Sequence, residues 1–196
     1  LPVHGISVSD KGEISLAMKL IEGQTWAELL HPQTPEGRVA AGSFDLPEHL
    51  RLLITVSNAV SFAHSRGVIH RDIKPENVMV GAFGEVVLMD WGIALQTGSD
   101  DSGEQGAGPR VRLAGTPAYM APEMVSPGGR NISKRTDVYL LGGLLFELLE
   151  GTPPQAAGTL FEALALATSS RLPSFSKDTP AELADLCRRA LAHDPE

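Results

Sequence analysis

The chain has 196 residues, 42% hydrophobic and 20% charged, a balance of ordinary globular proteins that excludes collagenous, low-complexity and disordered classes. Asp and Glu outnumber Lys and Arg 24 to 16, and the resulting formal charge of -8 argues against the broad basic footprint of a DNA or RNA binder. One cysteine, Cys187, permits no internal disulfide or multi-cysteine metal site, and the most apolar stretch, Val138 to Phe146, is far short of the roughly 20 residues a bilayer requires. A reducing, cytoplasmic setting is therefore expected for this segment, with no membrane contact of its own and a membrane tether elsewhere in the parent chain left open. The start lacks a basic region followed by an apolar one, so no signal peptide is read, and a chain beginning with Leu1 is taken as a fragment of a longer one.

In chain order, Ile14 to Ile21 reads as a buried strand ended by Glu22-Gly23, and Thr25 to Leu30 as one or two helical turns. His31 to Phe44, rich in Pro, Gly and small residues, is expected as a surface loop. Asp45 caps a helix with Glu48 three residues on, and Leu50, Leu53, Ile54, Val60 and Ala63 mark its apolar face up to Gly67. Val78 to Val80 and Glu85 to Met89 flank Gly81-Ala-Phe-Gly84, the pattern of a hairpin. Gln96 to Gly108 is polar, Gly-rich and without periodicity, and is expected to move. Ser133 to Leu149 is a helix apolar nearly all round, and Thr159 to Thr168 a further one. Thr179-Pro-Ala-Glu182 reads as a capping box before a helix whose apolar face includes Leu183, Leu186, Cys187 and Leu191.

The chemistry concentrates in His70-Arg-Asp72-Ile-Lys74-Pro-Glu-Asn77, followed 13 residues after Asn77 by Asp90-Trp91-Gly92. If Val78 to Met89 folds back as a hairpin, the Asn77 amide and the Asp90 carboxylate converge. Such a hard-oxygen pair suits Mg²⁺, which takes one or two protein ligands and completes its octahedron with water and phosphate oxygens. Asp72 and Lys74 add a proton acceptor and a cation two residues apart, completing a set that phosphoryl transfer requires. Any one of these residues alone reads more simply as a solvated loop side chain. The ordered series is far more specific.

The series resembles the eukaryotic-like serine/threonine protein kinases, particularly their bacterial members. His70-Arg71-Asp72 with Asn77 matches their catalytic loop, Asp90-Trp91-Gly92 their D-F-G position with Trp for Phe, and Ala121-Pro122-Glu123 their A-P-E. Gly115 to Glu123 and Asp137-Val-Tyr-x-x-Gly142 also fit. The resemblance implies an α+β, protein-kinase-like fold, mainly the helical C-lobe with the hinge strand and a remnant of the N-lobe sheet. Residues 1–196 would form a partial kinase domain, 1–22 being N-lobe remnant and hinge and 23–196 C-lobe. It implies ATP-dependent, Mg²⁺-dependent phosphoryl transfer to serine or threonine hydroxyls of protein substrates, with no nucleic-acid partner. Asp72 would be the catalytic base, Lys74 would steady the γ-phosphate, Thr116 would bridge Asp72 and Lys74, and Asn77 and Asp90 would ligate the metal. Met18 falls at the gatekeeper position, the backbone of Lys19 and Ile21 would hydrogen-bond the adenine, and Met79 would pack on its face. Asp137 would cap the backbone of the catalytic loop.

Departures from the family pattern also carry information. The 13 residues before Ile14 contain no Gly-x-Gly-x-x-Gly, and Lys11 lies in a polar turn, so the phosphate-covering loop, the strand lysine and its helix glutamate are expected to be absent and the isolated fragment inactive. Glu123 is expected to lack its arginine unless Arg188 or Arg189 substitutes, and Trp91 needs a partner for its indole N–H. Arg71 is the feature of kinases that receive an activation-loop phosphate, with Thr97, Ser99 and Ser102 as acceptors, or else Asp100, Asp101 and Glu104 as unmodified partners. The alternative reading is a pseudokinase or protein-interaction module.

Overall fold

A computed structural model describes residues 3–9, 11–42, 44–97, 113–126, 131–169 and 174–192. The chain opens with an antiparallel hairpin of β1 (Val3–Val8) and β2 (Ile14–Met18). β3 (Gly23–Thr25), α1 (Trp26–Leu30), α2 (Pro35–Ala41), α3 (Leu46–Ser65) and β4 (Val68–Ile69) follow. A 3₁₀ turn (Pro75–Asn77) leads into β5 (Val78–Gly81), β6 (Val86–Leu88) and β7 (Leu95–Gln96). Then come α4 (Pro122–Val125), α5 (Lys134–Glu150), α6 (Leu160–Thr168) and α7 (Ala181–Ala190). Helices and short antiparallel sheets are thus segregated, an α+β arrangement resting on helix–helix packing.

Helix starts follow local chemistry. Reciprocal caps join Thr25 to Glu28, Asp45 to Glu48, Ser133 to Thr136 and Thr159 to Glu162, each satisfying backbone donors that the first turn leaves open. The core gathers Trp26, Val56 and Val60 with Ile73, Val78, Leu140 and Leu144. A second cluster, Leu145, Phe146, Cys187 and Leu191, joins α5 to α7. A Cβ on Gly142 would lie 2.7 Å from that of Ala190, so glycine sets the closeness of this crossing. Cys187 Sγ donates to Gly142 O at 3.3 Å, and burial pushes its pKa up to about 12, the state of an inert packing residue. Among the described residues no helix is long and apolar enough to cross a membrane.

Several expectations are corrected. The strand at Ile14 is not buried: Ile14 is 72% and Met18 51% exposed, because its partner β1, unread in the sequence, covers only its edge. The expected loop 31–44 contains α2, started by Thr34 and by Pro35 at the first helical position. On α3 the buried face runs through Leu52, Val56 and Val60, leaving Ile54 exposed, and Val138 and Leu186 are likewise exposed on α5 and α7. Thr179 does not cap α7, since its hydroxyl donates to Glu150. Leu95–Gln96 forms a strand paired with β4, whereas most of the expected mobile stretch, with Ser99, Asp100, Asp101, Ser102 and Glu104, lies outside the described residues.

α1 is tied to α3 by Trp26 Nε1, which donates to His49 Nδ1 at 2.9 Å within the core. Only a neutral imidazole accepts there, and burial lowers the His49 pKa despite the opposing pull of Glu48 and Asp45. Above pH 6.5 the ring is neutral in both folded and unfolded chains and this stabilisation is complete. As pH falls below that, the unfolded chain binds the proton first, and stability is lost until the lower folded pKa is reached. His49→Phe is expected to cost about 1–3 kcal/mol at neutral pH by stranding the indole N–H, and to flatten this acid limb in thermal melts at stepped pH.

Candidate functional site

The strand pair β4–β7 delivers the chain to His70. There the fully buried Asp137, in the first turn of α5, accepts from His70 N at 2.8 Å through Oδ2 and from Arg71 N at 2.9 Å through Oδ1. The half-buried His64 donates from Nε2 to the same Oδ2 at 2.7 Å. Arg71 adopts φ 73°, a left-handed conformation costing roughly 1–2 kcal/mol for a residue with a Cβ. Two consecutive N–H groups directed at one carboxylate hold it there. Gly115, at φ 118°, passes beside this bend, and a Cβ on it would stand 3.2 Å from Arg71 O and 2.7 Å from Met124 Cε. Arg71 Nη1 donates to Ile93 O at 3.0 Å, linking the loop to the segment after Gly92.

The His70 ring has one defined tautomer. Nδ1 accepts from Asp72 N at 3.2 Å, so Nε2 carries the hydrogen and donates to Met89 O at 2.9 Å. Its burial lowers its pKa, keeping the ring neutral. The Trp91 ring meets it edge-on at 4.4 Å between centroids, and the indole N–H donates to Leu88 O at 3.2 Å, which supplies the partner its sequence position demands.

Around Asp72, four expected site residues form one connected group. Thr116 Oγ1 donates to Asp72 Oδ1 at 2.8 Å, and Lys74 Nζ donates to Thr116 Oγ1 at 2.7 Å while lying 3.3 Å from Asp72 Oδ2. Asn77 Nδ2 donates to Asp72 O at 2.7 Å and Oδ2 at 3.0 Å. Both amide hydrogens of Asn77 are thereby committed, and only its Oδ1 remains to offer a cation. The 3₁₀ turn begun by Pro75 brings Asn77 back toward Asp72. Asn77 O then accepts from Met89 N at 2.7 Å, and Val78 pairs with Leu88, so the chain returns beside its start with Asp90 next in line. Asp90 is exposed at φ 57°, with Oδ1 accepting from Gly92 N at 3.3 Å. An amide oxygen and a carboxylate are hard donors of the kind a divalent cation takes together with water and phosphate. Among the described residues no group of three or more His, Cys, Asp or Glu side chains competes as a metal site.

The remaining expected residues lie on other elements. Met79, half-buried on β5, pairs with Thr25 on β3 and Val87 on β6. Met18 ends β2, Lys19 is exposed and Ile21 half-buried on the link to β3.

Sequence reasoning missed a second polar centre. Glu147, buried within α5, accepts from exposed His31 Nε2 at 2.8 Å and from the Tyr119 hydroxyl. Burial and this carboxylate both raise the Tyr119 pKa. An acid set among Leu144, Leu145, Phe146, Leu148 and Leu149 is the signal that could have found it. Glu123 is not left alone either: Thr136 Oγ1 donates to it at 2.6 Å. Arg188 is engaged elsewhere, with Asp185 and over the Phe175 ring, whereas Arg189 shares with Glu123 the wall of a cavity of about 220 Å³.

Residues 6–196 match the family described as the protein kinase domain. The chain belongs to the protein kinase family. It is 34% identical over 180 residues to the serine/threonine-protein kinase PknD of Protochlamydia amoebophila, an alignment covering 83% of this chain and 18% of that protein. It is 34% identical over 172 residues to the Aurora kinase of Schizosaccharomyces pombe (80% and 44%) and 32% over 157 residues to PknB of Mycobacterium leprae (76% and 23%). The kinase chain thus spans between about a fifth and a half of the length of these relatives. Within this kinase domain Asp137→Asn, which turns an N–H donor toward a backbone N–H, is expected to cost about 2–4 kcal/mol in urea unfolding. Amide exchange at His70 and Arg71 should rise with it.

Proposed function

We propose that the protein transfers the γ-phosphoryl group of ATP to serine and threonine hydroxyls of protein substrates in the cytoplasm. The observation that carries this reading is the double hold on Asp72: one carboxylate oxygen is fixed by Thr116, the other by Lys74 and Asn77. A carboxylate so oriented receives and aligns an incoming hydroxyl without reorganising. Lys74, bonded to Thr116, supplies a cation at the same point for the charge on the transferred group. Asn77 Oδ1 and the Asp90 carboxylate would hold Mg²⁺, which neutralises the phosphate chain when bound. The backbone of Lys19 and Ile21 would hold the adenine beside Met18, with Met79 under its face. Gly115 to Glu123, folded against the loop through Thr116, would receive the protein substrate. Residues 1–22 would be the hinge and part of the smaller lobe, and 23–196 the larger lobe.

In the full-length protein, Asp72→Asn is expected to lower phosphate transfer from radiolabelled ATP to a generic protein acceptor by about 10²–10⁴-fold while leaving thermal stability nearly unchanged. Transfer at an unaltered rate by this variant would refute the assignment.

A further inference from the structure

The turn carrying Thr116 continues through residues 118–120, and this stretch is gripped from the side of α5. Gln155, in the loop after α5, is only 4% exposed. Its backbone N–H donates to Ala118 O at 3.0 Å. Its side-chain Nε2 donates to Tyr139 Oη at 2.7 Å and to Met120 O at 3.4 Å. Tyr119, between these two carbonyls, donates its hydroxyl to Glu147. Gly143 lets the two layers meet: a Cβ there would lie 3.3 Å from the Tyr119 ring and 3.5 Å from Pro154 Cγ. Three consecutive residues are therefore each held by α5 or the loop that follows it.

Gln155 is an uneconomical way to fill this space. Its Oε1 is buried and accepts nothing among the described residues, a desolvated oxygen that an apolar side chain of similar size would not carry. Packing alone therefore does not explain a glutamine. Its two amide hydrogens do, because they are directed at Tyr139 on α5 and at the main chain of the 116–120 turn.

We propose that Gln155 is a positioning residue for the substrate-receiving segment. By tying Met120 O to Tyr139 it fixes the pose of the 116–120 turn, whose Thr116 end reaches Asp72 and Lys74. What that pose serves rests on the kinase reading given above, whereas the clamp itself does not.

The test uses the full-length protein with Gln155→Leu and the double variant Gln155→Leu, Tyr139→Phe. The double change removes the side-chain donor, its phenol acceptor and the orphan oxygen together, so its melting temperature should stay within about 3 °C of the unaltered protein. The KM for a protein or peptide acceptor should nevertheless rise roughly five- to tenfold in both variants, with the KM for ATP unchanged. Amide exchange at Ala118 to Ala121 should accelerate by a similar factor. Unchanged exchange there, or acceptor and ATP KM values moving in step, overturns the proposal and leaves Gln155 a packing residue. Failure of the unaltered protein to transfer phosphate at all would refute the kinase reading instead, and exchange at Ala118 to Ala121 then decides the clamp by itself.

Discussion

A loop that turns sharply inside a core leaves main-chain donors that no helix or strand can satisfy, and in this molecule the carboxylate of Asp137 meets that demand. Its two oxygens take the adjacent N–H groups of His70 and Arg71, and one also takes His64. Without an acceptor, each buried N–H would cost on the order of 1–3 kcal/mol, and Arg71 would leave its left-handed conformation. Since Asp137 stands on α5, whose Leu140 and Leu144 lie in the main core, the loop is referenced to that core. Asp72 inherits that reference through its N–H, which rests on His70 Nδ1.

The group around Asp72 is assembled from two distant stretches of chain. Lys74 and Asn77 belong to the loop itself, but Thr116 arrives from a segment more than 40 residues on. Three members of the group come from the loop and the fourth from a segment that must be seated against it. Gly115 permits the seating by passing where a side chain would strike Arg71 O and Met124. The proposed chemistry is in this sense conditional on the path of residues 113–120, and Glu147 and Gln155 secure that path from the opposite side.

Features written in local chemistry are legible in the amino-acid sequence alone. The cap pair Asp45–Glu48, the helix over Thr159 to Thr168, the 78–88 hairpin and the spacing from Asp72 to Asn77 to Asp90 depend on residues close in sequence. The rest depends on neighbours that sequence order does not reveal. Ile14 and Met18 have strand-like patterning, yet burial requires a second layer, and β1 supplies only an edge. Thr179 has a cap signature, but Glu150, on another helix, offers its hydroxyl a different acceptor. What Gln155 and Glu147 bond to is hidden in the sequence, because their partners, Tyr139, Met120, Tyr119 and His31, lie 16 to 116 positions away.

The crossing of α5 and α7 also equips the protein with a natural gauge. The Cys187 thiol is wedged beneath Gly142, protonated and shielded, so an alkylating reagent in solution reacts with it only in the instants when α7 lifts away. The rate of labelling at Cys187 therefore counts those excursions directly, without any engineered probe, and reports how firmly α7 is fastened to α5.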